Sequence, residues 1–184
     1  IASTANPHST TAAQVSAIPN DGWISVSWAG LTRVSATVFT TTTDVSGIVG
    51  KCTKLKFTDT TTKYLAIVSA TFGAGVTTIT TIATTDFALV GNPSAIFYSN
   101  IENPLGWPDT FNYTTTVTPD AGTITSYTVN QATWKLLGKQ IKIDVVFTLT
   151  NIGSGTGFVK FSVPVPSTAT SVGPGRETGV TGNT

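Results

Sequence analysis

The chain has 184 residues, with ten Lys and Arg, nine Asp and Glu and one His, for a net charge of +1. Its charged fraction is 10%, against roughly a quarter in an ordinary globular domain. Scattered cations give no footprint for nucleic acid, one thiol allows neither an internal disulfide nor a cysteine-based zinc site, and no apolar run approaches the roughly 18 residues of a membrane-spanning helix.

Thr supplies 38 residues, so the polar surface is made of hydroxyls rather than charges, and 40% hydrophobic content is too apolar for a disordered chain. Residues 1–18 are mostly Ala, Ser and Thr without sustained periodicity and read as a linker or arm. From Trp23 the pattern changes. Trp23 to Trp28 and Val34 to Phe39 alternate in short β-branched and aromatic runs, Lys54 to Phe57 and Lys63 to Phe72 predict two strands across a turn at Asp59 to Thr62, and Gly73-Ala74-Gly75 is a hairpin signal. The Thr- and Ile-rich Val76 to Ile82 suits a pleated, half-buried surface. A last apolar run reaches Tyr98. These elements predict a compact β-barrel-like or small-sheet unit over residues 19–103.

Between Asn100 and Asp109, Pro104, Gly106 and Pro108 stop any regular element. The segment reads as a boundary, with Trp107 in its seam. Beyond it, Lys139 to Asn151 places Ile141, Ile143, Val145, Phe147 and Leu149 on one side, the period of a strand rather than a helix. Gly138 turns that strand back on Gln131 to Leu137, where Ala132, Trp134 and Leu136 share a face. Tyr113 to Val117, Thr123 to Val129 and Val159 to Val163 complete five strands, with Pro119-Asp120-Ala121-Gly122 read as a turn. One oily face per strand predicts two sheets packed together, an antiparallel, jelly-roll-like β-sandwich over residues 104–184. Five strands leave long edges open, so the unit reads as incomplete at its C-terminal end, or as covered by neighbouring chains. The fold class predicted is all-β, in two small modules.

Reactive chemistry is sparse. His8, the only imidazole, stands in the featureless leader, where nothing holds a catalytic base. Cys52 lies between Lys51 and Lys54, whose charge favours a thiolate, yet its setting reads as a half-buried strand. Glu102, Asp109, Asp120 and Asp144 are single acids with no pairing across a cleft of the kind a glycosidase needs, and no Asp-x-Asp-x-Asp run marks a calcium site. No catalytic residue, metal ligand or cofactor is predicted. Among the aromatics, Trp134 reads as core, whereas Trp107 and Tyr113 are the candidate contacts for a glycan or partner. Asn112-Tyr113-Thr114 fits a glycosylation sequon, a match expected by chance in so Thr-rich a chain.

The run from Tyr127 through Val163, with its WKLLGKQIKIDVVFTLTN core and FVKFSVPVP close, resembles a β-module of tailed-phage fibre and virion proteins. Gly50-Lys51, the Tyr64 to Ala70 strand and Thr77-Thr78-Ile79-Thr80 resemble the small β domain that often precedes it. The resemblance spans roughly residues 20 to 182 and brings no catalytic or metal residues. It implies a non-enzymatic structural component of a virion, in a tail fibre or tail-tip appendage for host attachment. Its implied partners are copies of itself, as a homotrimer, other virion proteins and a host-surface glycan. A carbohydrate-binding module of a secreted protein and a capsid decoration protein are the alternatives.

Overall fold

The computed structural model describes residues 19–165. The described residues form an all-β structure of twelve strands in antiparallel sheets, with no helix among them. The leader and the tail after residue 165, including His8, lie outside the described residues.

The first sheet has seven strands. They are β1 (Ile24–Ser25), β2 (Thr32–Arg33), β3 (Val38–Thr41), β4 (Lys54–Thr58), β5 (Thr62–Gly73), β6 (Val76–Thr81) and β7 (Ser94–Ser99), in the order β1-β7-β4-β5-β6-β3-β2. The hairpin expected at Gly73-Ala74-Gly75 joins β5 to β6. Gly73 pairs with Val76, and Ala74 and Gly75 take φ values of 51° and 81°. Two left-handed residues in a two-residue loop give the twist that flanking strands require, at some strain for Ala74. The alternating runs at Trp23 and Val34 are cut to short strands. Val34 instead donates its N–H to Val38 O (2.8 Å), closing a tight turn inside the expected run.

β5 organises the molecule. Its first half pairs with β4 and its second half with β6, across an irregularity between Ile67 and Ser69. The sheet thus bends at β5 and wraps a core of Phe39, Leu55, Phe57, Leu65, Ile67 and Ile79, all at most 1% exposed. Leu65 and Ile67 point into this core, while Tyr64, Ala66 and Val68 face a second one. Burial on both faces explains why β5 reads as a continuous apolar run rather than an alternating one. At the open end of the first core, Lys63 pairs with Asp59 at 3.2 Å, and the Asp59 side chain is fully buried. That carboxylate accepts hydrogen bonds from the N–H groups of Val90 (2.8 Å) and Gly91 (3.3 Å).

The second sheet contains β8 (Phe111–Asn112), β10 (Ser126–Leu137) and β11 (Gln140–Asn151), in the order β11-β10-β8. The expected turn at Gly138 is there, with Leu137 opposite Gln140. The inner row Ile141, Ile143, Val145, Phe147 and Leu149 is half-buried as the periodicity predicts. The layer facing Ile141, Ile143 and Val145, however, is the back of β5: Ala66, Tyr64 and Val68 pack with Phe111, Ala132 and Trp134. The sandwich that the five strands were expected to build among themselves is closed by a strand from the N-terminal half.

The remaining strands, β9 (Val117–Ala121) and β12 (Thr156–Phe161), form a separate two-stranded ribbon. Three expectations are corrected here. Thr123 to Val129 and Gln131 to Leu137 are not two strands, because β10 runs from Ser126 to Leu137 with only an irregularity between Val129 and Gln131. Tyr113 to Val117 is not one strand, because β8 ends at Asn112 and β9 begins at Val117. Pro119-Asp120-Ala121 is not a turn, since Pro119 pairs with Val159 within the ribbon, where an edge position tolerates a residue without an N–H. The chain reverses after Gly122, at φ 78°.

Candidate functional site

The seam between the sheets is built from rings. Trp107 N–H donates to Pro104 O (3.0 Å), closing a turn through Leu105 and Gly106. The Trp23 indole N–H donates to Leu105 O (2.8 Å), fixing that turn on the start of the first sheet. Trp107 then lies 5.1 Å from Phe111, 6.2 Å edge-on to Tyr64 and 6.3 Å from Trp23, centroid to centroid. Phe111 stacks on Trp134 at 4.2 Å with planes 5° apart. The Trp134 indole N–H donates to Ala83 O (2.9 Å), so this fully buried ring leaves no polar atom unpaired.

The two sequence-predicted contact residues are placed differently. Trp107 is half-buried, in contact with the rings of Trp23, Tyr64 and Phe111. Tyr113 is 5% exposed, its ring inside the second core and its hydroxyl donating to Ser162 O (3.3 Å). Burial raises the Tyr113 pKa, and a hydrogen bond with Thr115 opposes part of that rise.

Beside Trp107 stands a lysine that the sequence does not single out as a contact. Lys54 is 3% exposed, with its Nζ 5.5 Å from the Trp107 ring centroid and donating to Ile101 O (3.1 Å). Among the described residues no carboxylate lies within ion-pair distance of it. Burial pushes its pKa below the usual lysine value, partly countered by the neighbouring Cys52 and Glu102. Cys52 is half-buried and adopts φ 70°, a conformation few side chains other than Gly and Asn take up. Its N–H donates to Ile67 O (2.8 Å), which holds the loop before β4 against β5.

Cys52 and Lys54 help line a half-open cleft of about 450 Å³. Lys51, Cys52 and Lys54 form one wall, Asn100 and Glu102 another, and Lys139 arrives from the β10–β11 turn. A smaller cavity of about 190 Å³ adjoins it, sharing Lys51, Cys52 and Lys139 but walled by Ile67, Val68, Ile82, Ile141 and Val165. The sequence shows Lys51, Cys52 and Lys54 together; only the fold brings Lys139 to them.

The other acids weighed from the sequence are dispersed. Asp120 pairs with Lys160, and Asp144 with Lys142 at 3.0 Å. Asn112 Nδ2 donates to both carboxylate oxygens of Asp86 at 3.1 Å. No group of three His, Cys, Asp or Glu side chains able to hold a metal occurs among the described residues. No helix among them is long and apolar enough to cross a membrane. Comparison with protein-family models, curated proteins and solved structures finds no match to any of them.

Proposed function

We propose that the chain is a non-enzymatic structural component of a bacteriophage virion, in a tail fibre or tail-tip appendage, and that it works as a homo-oligomer. The supporting observation is where its uncovered apolar surface lies. Phe158 (82% exposed), Phe161, Val159 and Val163 lie on or next to the ribbon, and Val146 and Ile152 on or beside β11. β11 itself is a twelve-residue edge strand with no partner on its outer side among the described residues. Long open edges and exposed aromatics invite strand pairing and association, and symmetric assembly covers both at once. Sparse charge and a hydroxyl surface suit close packing of copies outside a cell.

Two measurements test this reading. Light scattering on the full chain is expected to give a multiple of the 19.1 kDa subunit mass, and a monomer at micromolar concentration argues against assembly. Gold-labelled antibody on purified particles is expected to mark the tail. Marking confined to the capsid favours the decoration alternative, and unlabelled particles reject the virion reading.

A further inference from the structure

Lys54 is a buried ammonium group whose partners among the described residues are one carbonyl oxygen and a ring face. Buried charges are ordinarily paired, because removing an ion from water is costly unless a counter-charge meets it. Around the same cleft stand two further ammonium groups, Lys51 and Lys139, against the single carboxylate of Glu102. Three cations facing one anion is a local excess in a chain whose net charge is only +1. Asn100 adds a donor: its Oδ1 accepts from the Thr53 hydroxyl (2.9 Å), and its amide nitrogen meets no acceptor among the described residues.

Cleft size and lining narrow the class of anion. A volume of about 450 Å³ falls within the range of small-molecule sites and is more than a simple inorganic anion fills. The adjoining apolar cavity of about 190 Å³ has room for a methyl-ended substituent and is too small for a long acyl chain. A ligand with a carboxylate, hydroxyls and a short apolar group matches all three parts.

We propose that this cleft binds a carboxylate-bearing, N-acylated sugar. The carboxylate meets Lys51, Lys54 and Lys139, the hydroxyls meet Asn100 and Glu102, and the acyl methyl enters the cavity walled by Val68, Ile82 and Ile141. The site concerns one subunit alone and goes beyond the assembly role. It stands whether or not the chain belongs to a virion.

The test is calorimetric titration of the full chain with sialyllactose, with lactose, sodium sulfate and sodium octanoate as separate arms. A thiol reagent run alongside reads the exposure of Cys52. Saturable binding of sialyllactose that slows Cys52 modification, and exceeds binding in the other three arms, is the expected result. Lys51→Gln with Lys139→Gln, at two exposed positions, is expected to weaken it about tenfold or more, as loss of charge-assisted hydrogen bonds requires. Comparable binding of lactose removes the anion from the account, comparable binding of sulfate removes the sugar, and comparable binding of octanoate replaces it with an acyl chain. Unchanged affinity in the folded double variant, or no binding in any arm, overturns the site.

Discussion

The first sheet and the strands that follow it solve the same problem differently. The first sheet bends round its own core and ends in β1 and β2, strands of two residues each, so little edge is left to pair. Among the described residues, fourteen of the twenty buried hydrophobic ones lie before residue 100, whereas eight of the twelve exposed large ones lie after it. The second sheet ends in the twelve-residue β11, and the ribbon carries Phe158 into solvent. A fold that closes on itself needs no partner. One that borrows β5 for its core, and leaves its far side uncovered, has surface to spare for another molecule.

Substitutions separate the two regions, beginning with the core they share. Trp134→Ala removes the ring that stacks on Phe111 and faces β5, and is expected to cost about 3–5 kcal/mol. Because β5 belongs to both cores, denaturant unfolding should remain one transition. Two separate transitions, with the first sheet unaffected, would show that the halves are independent.

Asp59→Asn acts on the first sheet alone, and breaking its buried pair with Lys63 is expected to cost about 3 kcal/mol. Burial by itself would raise the Asp59 pKa. The hydrogen bonds from Val90, Lys63 and Gly91 outweigh it and hold the carboxyl below its ordinary 3.8. A depressed carboxyl stabilises the fold above that ordinary value and loses this contribution as pH falls through the folded value. Acid titration of the wild type should therefore show stability lost below pH 3.8, and Asp59→Asn should flatten that limb.

Gly122→Ala tests the ribbon. An added Cβ would meet Ser154 O at 2.0 Å, on a backbone already at φ 78°. A loss of about 1–3 kcal/mol is expected, as for other strained positions, with hydrogen-exchange protection reduced in β9 and β12 and retained in β4 and β5. Phe158→Ser is the smallest change in stability, within about 0.5 kcal/mol for so exposed a side chain. Its expected effect is on association instead, read as a lower mass in light scattering. A full-size oligomer from this variant would move the contact away from the ribbon.

β4, β5 and β6 were legible as apolar and β-branched runs between turn signals, β10 reads in sequence as two strands, and period-two patterning located β11 closely through its unbroken row of oily side chains. It reports that a face is buried, though not by what. The row on β11 and the ring of Trp134 look the same in sequence whether a neighbouring strand or β5 covers them. Pro119 misled for a related reason: its missing N–H excludes an interior ladder position and tolerates an edge, and edge status is a property of the whole sheet. Trp107 was legible as a seam residue from its flanking Gly and Pro. The cleft was half legible. Lys51, Cys52 and Lys54 are neighbours in the chain, while Lys139 reaches them across a separation that only the packing of β10 on β5 closes.

That packing also sets a timetable for synthesis. Tyr64 leaves the ribosome seventy residues ahead of Trp134, an interval of roughly 4–14 s at ordinary translation speeds. During it, the outward side of β5 is bare on the nascent chain. A chaperone able to shield Tyr64, Ala66 and Val68 for those seconds would therefore raise the yield of native protein, and slowing translation after residue 100 would lower it.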